Sequence, residues 1–412
     1  MKSDLDQLMQ DYELDAILIT WPAQHNPAMF YLTGGVHLTN ADLVKKRGSE
    51  PVLFHYPMER DEAARTGMAT RNLGEYKMGE LLRQTNGNPL QADILRYQKM
   101  LTDVGLTEGR LGLYGKIDAG EAYSVFSGLQ EALPGLTILG QMGDSILLQA
   151  MATKSEDEIE RMRRIGRTTI EVVSLVADFL TGHATRGEIL IKENGSPLTI
   201  GDVKNKINLW LAERGAENPE GTIFAIGRDA GVPHSSGNPQ DYLRLGQTII
   251  FDIFPCEAGG GYYYDFTRTW CLGYATDEVQ KIYADVLAVY KQVMSDLKAD
   301  SLCREYQKLA CEIFEDLGHP TIQGNPQTEN GYVHSLGHGL GLHIHEYPRI
   351  SMAAGIEDRL VPGSVVTIEP GLYYPERGLG VRLEDTVWVR PDGQMEILAE
   401  YPLDLVLPMR SI

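Results

Sequence analysis

An acid in the middle of an apolar strand is among the hardest residues for a chain to bury, and this chain places four of them there. In "TIIFDIF" (248–254), Asp252 stands among Ile250, Phe251, Ile253 and Phe254, the composition of a strand covered on both faces. Asp265 follows three tyrosines in "YYYDFTRTW", Glu369 follows "SVVTI", and Glu384 comes one residue after Leu383 in "GVRLED". A carboxylate buried without a partner costs several kcal/mol or takes up a proton. Strand alternation sets Asp265, Thr267 and Thr269 on one face, and Arg382, Glu384 and Thr386 on one face. Arg268 and Arg382 are the close cations in these strands.

A single acid of this kind is ordinarily a salt bridge or an edge position. Four of them beside a histidine cluster point instead to bound cations: two divalent ions would balance four carboxylates. Oxygen-rich ligation with an imidazole suits manganese, cobalt, zinc or iron better than copper. Two ions about 3.5 to 4 Å apart activate a shared water and stabilise an oxyanion, which is hydrolytic chemistry.

The histidine cluster is "HSLGHGLGLHIHE" (334–346), with His334, His338, His343 and His345. His334 and His338 have the four-residue spacing of a helical zinc pair. Gly337, Gly339 and Gly341 argue against a helix, however, and Ser335 stands where that motif needs Glu. In an extended segment His343 and His345 share a face that His338 does not, unless a glycine bulge turns the chain. Spacing leaves the ligand undecided.

The 412 residues are enough for two or three domains. Short apolar runs "DAILITW", "PVLFHYP" and "GRLGLYG", separated by helical stretches such as "MERDEAARTGM", read as a small α/β domain. Near residue 153 a long amphipathic helix begins: Ser155 and Glu158 make a capping box, and Ile159, Met162, Ile165, Val172 and Val176 recur at helical spacing. We therefore divide the chain into 1–152 and 153–412. Thr276 caps a second helix, and Ser301 caps a third that runs to Leu317 and stops at Gly318.

A net charge of −20 disfavours nucleic acid and anionic membranes. No apolar run reaches the length of a membrane span, and the acidic N-terminus does not read as a signal peptide. A cytoplasmic protein is expected. Cys256, Cys271, Cys303 and Cys311 are scattered, as reduced buried thiols would be.

The ordered segments "FDIFPCEAGGGYYYDFTRTW", "HSLGHGLGLHIHEYPRIS", "TIEPGLYY" and "GVRLEDT" resemble the creatinase-like, or pita-bread, metallopeptidases, a family that includes Xaa-Pro dipeptidases, Xaa-Pro aminopeptidases and methionine aminopeptidases. The resemblance implies an α/β (α+β) protein, with a small N-terminal creatinase-like domain followed by a pita-bread catalytic domain. It implies metal ligands at Asp252, Asp265, His338, Glu369 and Glu384, with Asp265 and Glu384 shared by both ions, and manganese, or else cobalt or zinc, as the metal. His234 in "GVPHSSG", His345 and Glu369 take catalytic roles by the same resemblance, and His334, Arg349 and Arg382 contact substrate. His343 falls at a position without a catalytic role. Asp252 and Asp265 are thirteen apart where the family usually has eleven, consistent with a two-residue extension of the hairpin that preserves strand parity.

The N-terminal domain resembles that of the Xaa-Pro branch, and Arg349 in "HEYPRIS" resembles an arginine that receives a substrate carboxylate. Short proline-containing peptides are the implied substrates and a homodimer the implied assembly. An Xaa-Pro bond lacks the amide hydrogen that proteases use to grip an extended strand, so it calls for a dedicated site. Two rivals remain at this point. A metal-free creatinase-type C–N hydrolase would leave the acids repelling one another, and a non-catalytic binding protein of the same fold would typically lack ligands.

Overall fold

The computed structural model describes residues 4–353 and 357–410 and contains two compact units. One takes the chain up to Met151 together with Gly259–Gly261; the other takes Ala152–Ala258 and the chain from Tyr262 onward.

In the first unit a six-stranded mixed sheet runs in the order Ala69–Asn72, Val52–His55, Ala41–Lys46, Ala16–Thr20, Gly109–Gly115, Leu136–Gly140. Ala16–Thr20 pairs antiparallel with Ala41–Lys46 on one side and parallel with Gly109–Gly115 on the other. Helices Pro89–Asp103 and Ala119–Ala132 contribute Tyr97, Met100, Leu101, Val125, Phe126 and Leu129 to its core. The strand Ala41–Lys46 has no apolar signature because two of its buried residues are charged. Asp42 is paired with Arg96 at 2.8 Å and with the Tyr97 hydroxyl at 2.9 Å, and Lys45 is paired with Asp6. Satisfied in this way, charged side chains can occupy a strand inside a sheet.

The second unit opens on helix Glu156–Thr181, capped by the reciprocal Ser155–Glu158 box. Its buried face, Ile159, Met162, Ile165, Val172, Val173, Val176 and Leu180, follows the 3.6-residue period. Gly166 lets the helix close onto Tyr264, because a Cβ there would lie 2.7 Å from the Tyr264 ring. The neighbour of Asp265 is thereby clamped against the long helix. Helix Asp277–Asp296 is capped by Thr276, whose hydroxyl accepts from Val279 N–H. Helix Cys303–Asp316 differs from expectation: Leu302 is at the N-cap, and the Ser301 hydroxyl binds the Lys298 carbonyl and the Tyr306 hydroxyl instead. Gly318, at φ +88°, follows its end.

Two main sheets carry the acids. One has the order Thr222–Ile226, Thr248–Ile253, Phe266–Leu272, Val406–Leu407; the other, Glu346–Ile350, Gly337–Gly339, Val365–Ile368, Asp385–Val389, Met395–Ile397. A bridge between Thr267 and Glu384 joins them. "SVVTIEPGLYY" and "GVRLEDTVWV" are not continuous strands. Each breaks at its acid, with Gly371–Tyr374 and Leu379–Arg382 forming a separate two-stranded ribbon. All four cysteines are buried and unbridged.

Candidate metal centre

Asp252 lies opposite Thr267 in the antiparallel pair of Thr248–Ile253 with Phe266–Leu272, and that register runs unbroken to Ile253 opposite Phe266. Parity is therefore kept through the long hairpin, and Asp252 and Asp265 line one cavity of about 580 Å³ together with His338, Glu369 and Glu384. Glu369 and Glu384 reach it from the strand breaks, where the backbone turns inward. Glu384 is fixed by its own N–H to the Thr267 carbonyl at 3.0 Å and by the Thr267 hydroxyl, which donates to its carboxylate at 2.7 Å. Although the strand breaks before Glu384, Arg382 and Thr386 on either side also turn this way, to the Asp252 carboxylate and the Asp265 carbonyl.

A bulge between His338 and Gly339 resolves which imidazole enters the cluster. Gly337 and Gly339 have no room for a Cβ, which would run into the Thr367 and Tyr347 backbones, so the chain passes between its neighbours and turns His338 into the cavity. The His338 Nδ1 lies 3.0 Å from the Gly339 carbonyl. Donating there leaves the Nε2 lone pair facing the acids, 3.8 Å from Asp265 Oδ2 and 3.6 Å from Glu369 Oε1. One donor atom from each of Asp265, His338 and Glu384 can be chosen so that all lie within 4.8 Å of one another.

The electrostatics of this cluster are out of balance. Burial, reinforced by Asp252 and Glu369, holds the Asp265 carboxyl well above its usual range, and burial with Asp265, Glu369 and Asp252 does the same to Glu384. Burial lifts Glu369 to about 8, against the pull of Arg382 and helped by Asp252. Of the two nearby arginines, Arg382 pairs with Asp252 at 2.6 Å, whereas Arg268 goes to Asp385 at 2.9 Å and to the Glu384 carbonyl at 2.8 Å. One guanidinium thus faces four carboxylates. Asp252 Oδ1 and Asp265 Oδ1 are buried with no hydrogen-bond partner, although buried carboxylate oxygens are nearly always satisfied. Hard oxygen donors with one imidazole nitrogen and unmet negative charge fit divalent cations.

His234 and His345 also line the cavity, and the His345 ring stands edge-on to His338 at 4.3 Å between centroids. Burial, with the charge of His234, lowers the His345 pKa. His334, Arg382 and Arg349 are not among the described residues that line the cavity. His334 and Arg382 sit behind it, both bonded to the Tyr373 hydroxyl at 2.8 Å. From there Arg382 reaches both Asp252 and Tyr373. Arg349 pairs with Asp358 at 3.1 Å and lies over the Tyr347 ring. His343 is likewise absent from the lining; its N–H donates to Glu346. Sequence reasoning missed helix Ile200–Glu213, which brings Lys204 and Asn208 to the cavity. The capping box formed by Thr199 and Asp202 was its available signal.

Residues 160–391 match Metallopeptidase family M24. The chain belongs to that family. M24 membership accords with the donor set, and a curated M24 relative, an Xaa-Pro dipeptidase of Pyrococcus furiosus, is 35% identical over 193 residues, 47% of this chain and 51% of that protein. The match thus spans about half the length of that relative. Over nearly the whole chain, the pita-bread fold is shared with a dipeptidase of Pyrococcus horikoshii (TM-score 0.74, 22% identity, 98% of each chain). It is shared too with an Xaa-Pro dipeptidase of Bacillus anthracis (TM-score 0.75, 21% identity, 98% of this chain and 99% of that one). Among the described residues no helix is long and apolar enough to cross a membrane.

Proposed function

We propose that this M24 metallopeptidase is a two-metal Xaa-Pro peptidase that cleaves the bond before proline in dipeptides or short peptides. The observation that carries this reading is the meeting of Asp252, Asp265, His338, Glu369 and Glu384 at one cavity, with two buried carboxylate oxygens lacking any partner. The names of its relatives, Xaa-Pro dipeptidases among them, support the choice of substrate.

In this reading the five residues hold two divalent ions, manganese in the first instance with cobalt or zinc as substitutes. The ions supply Lewis acidity and an acidified water when bound. Glu369 lies among the ligands and takes the proton of the attacking water as general base. The proline nitrogen leaves as a secondary amine and must receive a proton, which the same carboxyl can return. His345 and His234 line the cavity where the carbonyl oxygen gains charge and act as donors to it. Arg382 holds Asp252 in place through its ion pair and reaches the Tyr373 hydroxyl that also binds His334. All of these residues lie within 153–412, which we take as the catalytic domain, acting in a homodimer.

The test is hydrolysis of Gly-Pro-type dipeptides and Xaa-Pro-Xaa tripeptides by protein loaded with manganese, cobalt or zinc. Cleavage before proline, abolished by chelation and restored by metal, is expected. Metal-independent turnover, or none on any Xaa-Pro peptide, would remove this assignment.

A further inference from the structure

Lys154 and Glu346 form an ion pair of 2.7 Å with side chains 1% and 0% exposed, across 192 positions of sequence. Removing two charges from water costs as much as their attraction returns, so such a pair is a poor source of stability by itself. What distinguishes this one is the use made of the other carboxylate oxygen. Glu346 Oε1 accepts from the Leu342 N–H at 2.8 Å and the His343 N–H at 3.0 Å. These amides belong to a turn that lies between strands Gly337–Gly339 and Glu346–Ile350. Without Glu346 they would be buried donors left over from the sheet.

The turn is shaped around that carboxylate. A Cβ on Gly341 would run into the Glu346 carboxylate and lie 2.8 Å from Lys154 Cε. The Gly341 N–H donates to the His343 carbonyl at 3.1 Å, its own carbonyl accepts from Tyr263 N–H at 2.8 Å, and Lys154 N–H is tied to the Gly363 carbonyl at 2.8 Å. The turn ends at His345, which it folds back against His338.

We infer that Lys154 is a positioning residue: by neutralising Glu346 it holds the 341–345 turn closed and sets His345 against His338 in the cavity. This rests on the reading of the cavity as an Xaa-Pro peptidase site. Without the ammonium, Glu346 is a buried unpaired anion that must take up a proton or draw water. The turn then loosens, and His345 loses its fixed place, while Asp252, Asp265, Glu369 and Glu384, which lie elsewhere in the chain, keep theirs and His338 stays tied to the Gly339 carbonyl.

The experiment uses the manganese-loaded enzyme and Lys154→Met, alone and combined with His345→Ala. A misplacement of about 1 Å can cost about 100-fold in rate, so Lys154→Met is expected to lower kcat at least tenfold, with KM within about twofold and manganese content unchanged. In the His345→Ala background it should cause no further loss, because residues acting as one unit are not additive. Amide hydrogen exchange at Leu342 and His343 should accelerate in the single variant. Independent, multiplying losses in the double variant, or an unchanged kcat, would overturn the inference. If Lys154→Met does not fold, Glu346→Gln keeps an acceptor for both amides while deleting the charge. It should show a smaller loss of kcat with the same lack of additivity, and multiplying losses there would equally overturn the claim. Should the wild type cleave no Xaa-Pro peptide, it is the functional reading that fails. Exchange then decides the Lys154 claim, with unchanged protection of Leu342 and His343 refuting it.

Discussion

At the scale of single residues, a polar relay behind the cavity fixes protonation states. Arg382 donates to the Tyr373 hydroxyl, which can then donate to His334 Nε2, while the Nδ1 of His334 meets the Ser335 carbonyl at 2.7 Å. Both ring nitrogens are used by neutral His334, and burial together with the Arg382 charge lowers its pKa from 6.5 to about 3. The unfolded chain therefore binds a proton at higher pH than the folded one does. Stability should fall as pH drops from 6.5 toward about 3, by a few kcal/mol at most. The difference in unfolding free energy between the wild type and His334→Gln should shrink across that window when followed by urea denaturation; a difference independent of pH would contradict the relay. The acids of the cluster were legible because a carboxylate among isoleucines and phenylalanines is conspicuous. The partner of Arg349 was not, since Asp358 reaches it from a loop nine positions away with no periodic signal.

At the scale of elements, the helices beginning at Glu156 and Asp277 follow from caps and a 3.6-residue period. Strand Ala41–Lys46 does not, because its charged residues are satisfied by partners distant in sequence. The strand break at Glu384 was also hidden, because composition on both sides is strand-like and only the change of partner strand marks the turn. At Glu369 the Pro370–Gly371 pair was a signal that the reading of one continuous strand passed over. The glycines around His338 show the opposite case: the sequence allowed for a glycine bulge there without fixing it, and the bulge forms between His338 and Gly339. Gly339→Ala should clash with the Tyr347 backbone and cost about 1–3 kcal/mol, as overpacking does, while weakening metal retention by turning His338 away. A thermal unfolding scan with metal analysis checks both effects, and a stable variant with full metal content would show that the bulge is not what presents the imidazole.

At the scale of the whole molecule, residues from both main sheets and the breaks between their strands converge on one cavity whose negative charge the chain itself leaves unbalanced. That imbalance predicts how the metal-stripped protein responds to pH. Glu369, raised from 4.5 to about 8 by burial, contributes stability that is present below 4.5 and lost as pH rises through about 8. Metal-free protein should weaken across that window and manganese-loaded protein should not; equal pH profiles would count against cation compensation. The most direct measurement is equilibrium binding of manganese to the stripped wild type and to Asp265→Asn. Two ions per chain in the wild type, with marked loss of binding in the variant, is the predicted result. Binding of no manganese by the wild type, or undiminished binding by Asp265→Asn, would contradict the proposed centre.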